Sequence, residues 1–268
     1  MKIAMSVLLI LLAFVVAIWL AWSYLAGSSP GAGSDVLAEQ RALPPFHRVV
    51  VVGFAEVTLV QGGAESVTVE AASRHSRRVQ TELSDGTLTI TNSQSRRWWS
   101  DFFGGGARPA RVTVTFRELD AISAAGAVKL RADRLRTDRL TVSASGATSL
   151  KIADLDTKEL SVNGSGAMKV ELAGRTVAQK IAISGAGDYR AADLASEDAR
   201  VAVSGAGRVV VRVEKTLQIG LSGAGNVEYL GNPAVTQEIS GIGRVKRRAA
   251  ASAAMQIAHA SVSPPSGP

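Results

Sequence analysis

The sequence predicts an all-β protein in which the larger part is a right-handed parallel β-helix of about seven coils. Three observations lead to this prediction. A glycine-containing motif recurs seven times at nearly constant spacing, and an aliphatic residue precedes the glycine at the same distance in every copy. The residues between them alternate with a period of two, as in a strand. Because a repeat of about 20 residues cannot hold a helix beside two strands, helical and leucine-rich solenoids are excluded.

The chain begins with a segment suited to a membrane. Residues 3–26 contain no charged side chain. A spanning helix needs about 20 such residues, whereas the apolar core of a signal peptide has about 7–15. Trp19, Trp22 and Tyr24 stand at the far end, where aromatic rings favour the membrane interface. We expect residues 1–27 to be an uncleaved signal-anchor, with a cleaved signal peptide as the alternative, and the rest of the chain to lie outside the cytoplasm.

Two segments separate the membrane segment from the repeats. Residues 28–45 contain glycine, proline and polar residues and are predicted to be a linker. Residues 46–118 show period-two stretches such as HRVVVVGF and ESVTVEAA, and Asp85-Gly86 between two of them predicts a hairpin. We expect antiparallel or mixed strands that cover the first coil, since an uncovered β-helix end is an aggregation-prone edge.

Residues 119–248 hold the repeats. Four positions before each shared glycine stands an aliphatic residue, β-branched in all copies but one, which suits an inward strand position. The glycines are expected at a corner between two strands, where the backbone needs a positive φ or a close approach to the next coil. The repeat glycines are Gly126, Gly146, Gly166, Gly187, Gly207, Gly225 and Gly243.

A polar column accompanies these corners, namely Ser123, Ser143, Asn163, Ser184, Ser204, Ser222 and Ser240. Stacked at strand spacing, these side chains are expected to hydrogen-bond from coil to coil or to the turn backbone. The alternative is a polar strip that binds sugars.

The formal charge of +7 is concentrated at a few places. Arg244, Lys246, Arg247 and Arg248 contribute four of its units and Lys2 one, while the body of the chain is nearly neutral. We expect the cluster to guard the open edge of the last coil, and we expect no nucleic-acid partner. Residues 249–268 are alanine-rich and are predicted to be a disordered tail with at most one short helical stretch.

The loop SRRWWSDFFGGG, residues 95–106, is the most unusual candidate site. A contact patch is predicted there, because aromatic and cationic side chains together suit sugar rings or a membrane interface. The alternative is that the rings fold back over the hydrophobic face of the preceding module. The candidate residues are Arg96, Arg97, Trp98, Trp99, Phe102 and Phe103. A second basic run, residues 73–78, is expected to be a solvated turn.

Catalysis is not expected. The chain has no cysteine, which excludes thiol catalysis and thiolate metal sites, and its three histidines are scattered. There is no G-x-S-x-G elbow with a triad, and the glycine pairs lack the third glycine of a nucleotide-binding fingerprint. Aspartates in the inter-strand turns leave a polysaccharide-acting β-helix enzyme as a distant alternative. No cofactor or metal is expected.

The repeats, ending in LSGAGNVEYLGNPAVTQEISGIGRV, and the opening strands FHRVVVVGFAEVTLVQGGAESVTVEAA resemble the head GIN domain of auto-transporter adhesins. The resemblance covers residues 46–245 and rests on the order and spacing of the motifs. It implies a β-helical domain of the bacterial cell envelope, either exported or anchored in the inner membrane with the domain outside the cytoplasm. It also implies an adhesin-like role, and it brings no catalytic motif.

These observations together predict a non-catalytic β-helical domain held at the membrane by residues 3–26. Its expected partner is a surface, a glycan, a lipid or an envelope protein. The alternative function is a passive structural or scaffold module of the cell envelope that has no ligand.

Overall fold

The computed structural model describes residues 36–72, 79–92 and 110–248. These residues form twelve strands and no helix, so the all-β prediction is confirmed. In these ranges no helix is long and apolar enough to span a membrane. The predicted membrane segment, residues 3–26, and the predicted tail, residues 249–268, lie outside the described residues.

The strands form one open sheet that begins at β1 and ends at β12. Six strands precede the repeats: β1 (Val36–Ala42), β2 (Arg48–Gln61), β3 (Ser66–Ala72), β4 (Val79–Ser84), β5 (Thr87–Asn92) and β6 (Ala110–Phe116). Six more carry the repeats: β7 (Ala121–Ala132), β8 (Leu135–Gly205), β9 (Arg208–Gly223), β10 (Asn226–Leu230), β11 (Ala234–Gly241) and β12 (Arg244–Arg247).

The strands before the repeats are mixed, as the sequence predicts. β3 pairs antiparallel with β1 and β6, whereas β2 pairs parallel with β5 and β6. β4 and β5 form the predicted hairpin, and positive φ angles at Asp85 and Gly86, 50° and 68°, give the turn the twist that a two-residue hairpin needs. Residues 36–42 form β1, although the sequence assigns them to the linker, because the open edge of β3 supplies backbone partners that a propensity argument does not include.

The repeats lie side by side in parallel register. Ile122 pairs with Val142 in the next repeat, and Val203 pairs with Leu221 in the same way further along the chain. The stack also begins one repeat earlier than the sequence suggests, since β2 pairs in register along the length of β7. The module and the first repeat are therefore continuous.

The core is a set of aliphatic columns between the strands. Ile122, Val142 and Val162 fill one column and are at most 2% exposed. The same column continues with Ile181, Val201 and Ile219, which are also buried. Burial of each such side chain stabilises the fold by roughly 1.5–3 kcal/mol, so the stacked apolar columns are a main source of stability.

A chain of hydrogen bonds crosses this core. The Tyr189 hydroxyl donates to Gln179 Oε1 at 3.0 Å, Gln179 Nε2 donates to Ser196 Oγ at 2.7 Å, and Ser196 Oγ donates to the Arg212 carbonyl oxygen at 2.7 Å. All three side chains are buried, and burial raises the pKa of Tyr189. The hydroxyl therefore stays protonated and serves as a donor within the core.

We predict that Tyr189→Phe lowers the free energy of unfolding by about 1–3 kcal/mol, because it leaves the buried Gln179 Oε1 without a donor. Urea denaturation measures the loss. The matched control is Tyr229→Phe at a half-buried position, where we expect a change of less than about 0.5 kcal/mol. Equal effects of the two substitutions would contradict a role for the buried chain of hydrogen bonds.

Candidate functional site

A shallow groove with a volume of about 730 Å³ runs along one face of the stack, from β2 to β11. Its walls are outward-facing residues of the strand that precedes each glycine corner, and most of them are serine, alanine or glycine. Because these side chains are short, Ile183, Val203 and Leu221 also reach its floor. The groove is therefore apolar at the bottom and lined with hydroxyl groups along its length.

Six serines form one continuous column in this groove, which we call the serine column. Each stands directly before a corner glycine, and each is exposed. Parallel strands are about 4.8 Å apart, so the hydroxyls repeat at that interval. The Ser145 hydroxyl donates to the carbonyl oxygen of Ala124 in the preceding repeat, at 3.4 Å. The column consists of Ser145, Ser165, Ser184, Ser204, Ser222 and Ser240.

The polar column that the sequence predicts is divided in the structure. Ser184, Ser204, Ser222 and Ser240 belong to the serine column, as their pairing shows. Ser123, Ser143 and Asn163 instead line the groove two residues earlier, where Ser123 pairs with Ser143 and Ala125 pairs with Ser145. The motif alignment matches Gly146 and Gly166 with Gly187 and Gly207, which lie two residues beyond the stacked glycines of the later repeats. For this reason it does not place Ser145 and Ser165 in the same column as Ser184.

A ridge of stacked glycines borders the groove. Gly146 and Gly166 have φ angles of +84° and +102°, which L side chains rarely adopt, and a Cβ on either would lie 2.7 Å from the carbonyl oxygen of the glycine in the preceding repeat. Glycine is therefore required for both its conformation and its small size. The stacked column is Gly53, Gly126, Gly146, Gly166, Gly185, Gly205, Gly223 and Gly241.

The seven predicted repeat glycines fall into two columns. Gly126, Gly146 and Gly166 belong to the stacked ridge. Gly187, Gly207, Gly225 and Gly243 lie two residues beyond it, facing the interior. In the later repeats the first glycine of each S-G-x-G motif is the one at the corner, which corrects the alignment on the second glycine.

The second column of glycines has a packing cause. A Cβ on Gly187 would lie 2.6 Å from the side chain of Ile183, four residues earlier across the corner. In the third repeat the glycine comes first and the large residue second, since a Cβ on Gly164 would lie 2.6 Å from the side chain of Met168. The corner thus holds one large side chain, placed after the ridge in the early repeats and before it in the later ones.

Charged side chains lie mainly on other faces, where they pair between neighbouring repeats. Arg175 Nε donates to Asp156 Oδ1 at 3.0 Å, and this bond holds the pKa of Asp156 below its ordinary value. Glu171 pairs with Lys151 and Arg190 of the neighbouring repeats and accepts a hydrogen bond from Lys169 of its own repeat, which lowers its pKa. Among the described residues that line the groove, Glu238 is the only charged one. The groove therefore presents a nearly neutral surface.

The turn aspartates are likewise engaged between repeats. Asp138 lies 2.9 Å from Lys158 Nζ, Asp154 lies 3.0 Å from Arg134 Nε, and Asp198 accepts a hydrogen bond from Thr216. In residues 36–72, 79–92 and 110–248 no group of three or more acidic or histidine side chains could hold a metal ion. These three aspartates serve contacts between repeats.

The contact patch predicted at Arg96, Arg97, Trp98, Trp99, Phe102 and Phe103 lies outside the described residues, as does the basic run at residues 73–78. The groove was not singled out from the sequence. The signal that could have indicated it is the succession of serine, alanine and glycine at both outward positions before the corner.

Comparison with known families identifies the domain. The model of the family described as "Putative auto-transporter adhesin, head GIN domain" matches residues 45–233. The chain belongs to the head GIN domain family. No curated protein matches the sequence.

Solved structures share the head GIN fold at low sequence identity. A putative adhesin from Bacteroides fragilis is 19% identical with a TM-score of 0.73, and the match covers 81% of this chain and 98% of that one. A putative adhesin from Parabacteroides merdae is 20% identical with a TM-score of 0.60, over the same shares of the two chains. A putative lipid binding protein from Parabacteroides distasonis is 17% identical with a TM-score of 0.51, covering 80% and 98%.

We predict that Gly166→Ala lowers the free energy of unfolding by about 3 kcal/mol or more, since it combines a strained φ with a backbone clash. Gly220→Ala is the matched control, because nothing lies within 4 Å of a Cβ built there. We expect this control to change stability by less than about 1 kcal/mol, as measured by urea denaturation. A Gly166→Ala protein as stable as the control would show that the ridge does not constrain the stack.

Proposed function

We propose that the stacked repeats are coils of a right-handed parallel β-helix. The nearly constant offset between paired positions, from Gly126 and Gly146 to Gly223 and Gly241, supports this. Each such offset corresponds to one turn of the chain around a common core. Parallel strands need a crossover connection between them, and such connections are right-handed in nearly all known cases.

We propose further that this chain is a non-catalytic, extracytoplasmic binding protein of the bacterial cell envelope, with an adhesin-like role and an anchor at residues 3–26. Membership of a family described as putative adhesins supports the role. The uncharged segment at residues 3–26 supports the anchor. Three of the turn aspartates, Asp138, Asp154 and Asp156, form ion pairs between repeats, and this structural role is consistent with binding without catalysis.

We place the binding site in the groove, and its ligand is an extended neutral glycan. The observation that carries this proposal is the serine column. Hydroxyls both donate and accept hydrogen bonds, as sugar hydroxyls do, and six successive repeats each contribute one of them to the same column. A linear ligand can repeat the same contacts along several coils. The near absence of charge in the lining favours a neutral polymer over a nucleic acid or a polyanion.

Two other functions remain as outcomes of the test. The apolar floor at Ile183, Val203 and Leu221 also suits an acyl chain, and a structural relative is named a putative lipid binding protein. If the protein is a passive scaffold of the envelope, no ligand binds in the groove. Binding through the predicted aromatic patch at Trp98 and Trp99 is a further outcome of the test.

We predict that the full chain in mild detergent binds neutral glycans on an array, and that Ser184→Trp with Ser204→Trp lowers the signal at least ten-fold. Both serines are exposed, so the indole rings fill the groove without entering the core. Ser149→Trp lies after the corner, on another face, and serves as the matched control with an unchanged signal.

Three results separate the alternatives. Loss of binding in Trp98→Ala and Trp99→Ala, with the groove variant unaffected, would place the site in the aromatic loop. Binding to phosphatidylcholine vesicles without any glycan signal would make the ligand a lipid. Absence of both signals in the unmodified chain would contradict the adhesin-like role.

A further inference from the structure

The strand that follows each glycine corner has two outward positions, the third and the fifth residue after the ridge glycine. Because side chains alternate across a strand, the two positions lie on one face of the stack, which we call the basic face. From β2 to β12 they hold eight basic and four acidic side chains, whereas acidic residues slightly outnumber basic ones in the rest of the described chain. The basic members are Lys129, Arg131, Lys151, Lys169, Arg190, Arg208, Arg244 and Lys246.

The acidic side chains of the basic face are less exposed than the basic ones. All eight basic residues are exposed, whereas the four acidic residues are half-buried, namely Glu56, Glu171, Asp188 and Glu228. Glu171 Oε1 lies 3.0 Å from Lys169 Nζ, and the same carboxylate lies 3.8 Å from both Lys151 Nζ and Arg190 Nη1. One carboxylate thus holds three cations in place and cannot neutralise them, so the surface toward solvent is positive.

The exposed cations alternate between the two positions in four successive repeats. Lys151 and Arg190 occupy the fifth position after the ridge glycine, whereas Lys169 and Arg208 occupy the third. Parallel strands are about 4.8 Å apart, so each strand spacing brings one further cation, first on one side and then on the other. Lys151, Arg190 and Arg208 also line a depression of about 540 Å³. The basic face is therefore a zigzag row of positive charges along the stack.

A linear acidic polysaccharide matches the spacing of this row. In a β-(1→4)-linked polyuronate each sugar carries one carboxylate, and the length of a sugar is close to the strand spacing. Successive sugars are turned over, so their carboxylates alternate between the two edges of the polymer. Duplex DNA, by contrast, carries one charge about every 1.7 Å along its axis, which is much closer than one cation per about 4.8 Å.

A lipid surface matches the basic face less well. Proteins that lie on a membrane combine cationic side chains with large apolar ones that enter the bilayer. The neighbouring outward position, directly after the ridge glycine, holds alanine in six successive repeats, namely Ala127, Ala147, Ala167, Ala186, Ala206 and Ala224. These methyl groups are too short for insertion, but they leave room for a polymer to lie along the face.

We propose that the basic face binds a linear acidic polysaccharide, whose carboxylates pair with the zigzag row of Lys151, Lys169, Arg190 and Arg208. This site is separate from the groove, because the groove lies before the glycine corner and the basic face lies after it. The two sites also differ in ligand class, since the groove is nearly neutral.

The test uses the full chain in a mild non-ionic detergent. Its probe is immobilised polymannuronate, and the uncharged comparison is mannan of the same β-(1→4) linkage. We expect polymannuronate binding that weakens as NaCl is raised, because salt screens exposed charges. The triple variant Lys151→Gln, Arg190→Gln and Arg208→Gln should weaken this binding by about ten-fold or more and leave any mannan signal unchanged.

The matched control removes the same charge from exposed residues that precede the corner, in the triple variant Arg139→Gln, Lys180→Gln and Arg200→Gln. We expect it to change polymannuronate binding by less than about two-fold. All six substitutions are at exposed positions, so urea denaturation should show each triple variant folded and nearly as stable as the unmodified chain.

Three results would overturn the proposal. The first is an equal loss of polymannuronate binding in the two triple variants, which would make net charge the cause. The second is unchanged binding in the basic-face variant. The third is a preference for phosphatidylglycerol vesicles over phosphatidylcholine vesicles without any polymannuronate signal, which would make the partner a membrane. The groove variant Ser184→Trp with Ser204→Trp should retain polymannuronate binding, so failure of the groove proposal and failure of this one are distinguishable.

Discussion

The close contact of one glycine per repeat with the carbonyl of the preceding repeat is the constraint on which the structure depends. At Gly146 and Gly166 a Cβ would lie 2.7 Å from that oxygen, and the backbone has a positive φ. The contact fixes which residues pair between repeats, because a shift of one residue would place a side chain in this position. It also keeps the residue that directly precedes each ridge glycine on the same face of the stack in every repeat. The groove is a consequence, since each repeat contributes its short outward residues at the same place.

The interior follows the same constraint. With the ridge fixed, the space inside the corner admits one large side chain per repeat, which Met168 fills in the third repeat and Ile183 in the fourth. The small partners, Gly164 and Gly187, stand across the corner from them. This exchange between the third and fourth repeats keeps the volume nearly constant while the sequence motif changes, and it explains why two glycine patterns occur in one stack. Close-packed interiors penalise both a void and a clash, so the two positions change together.

The sequence allowed the all-β class, the repeat, the Asp85-Gly86 hairpin and the family resemblance to be predicted, since all of them rest on local spacing. The register within the motif could not be predicted, because Gly185 and Gly187 both look like the corner glycine and only the stacked carbonyl distinguishes them. β1 could not be predicted, because its pairing depends on β3, which lies further along the sequence. The groove could not be predicted for the same reason, because Ser145 and Ser222 belong to one column only when the repeats are stacked. The aromatic loop at Trp98 and Trp99 stays a prediction.

A groove built from short side chains requires a backbone that repeats without interruption, and the corner supplies it. The most direct test of this corner packing is a double-mutant cycle in the third repeat, with Gly164→Ile and Met168→Gly made singly and together. If one large side chain fits per corner, each single variant is destabilised by overpacking or by a cavity. The double variant then recreates the Ile183 and Gly187 arrangement and recovers stability, with a coupling on the order of 1–3 kcal/mol in urea denaturation. Additive losses, with no recovery in the double variant, would contradict it.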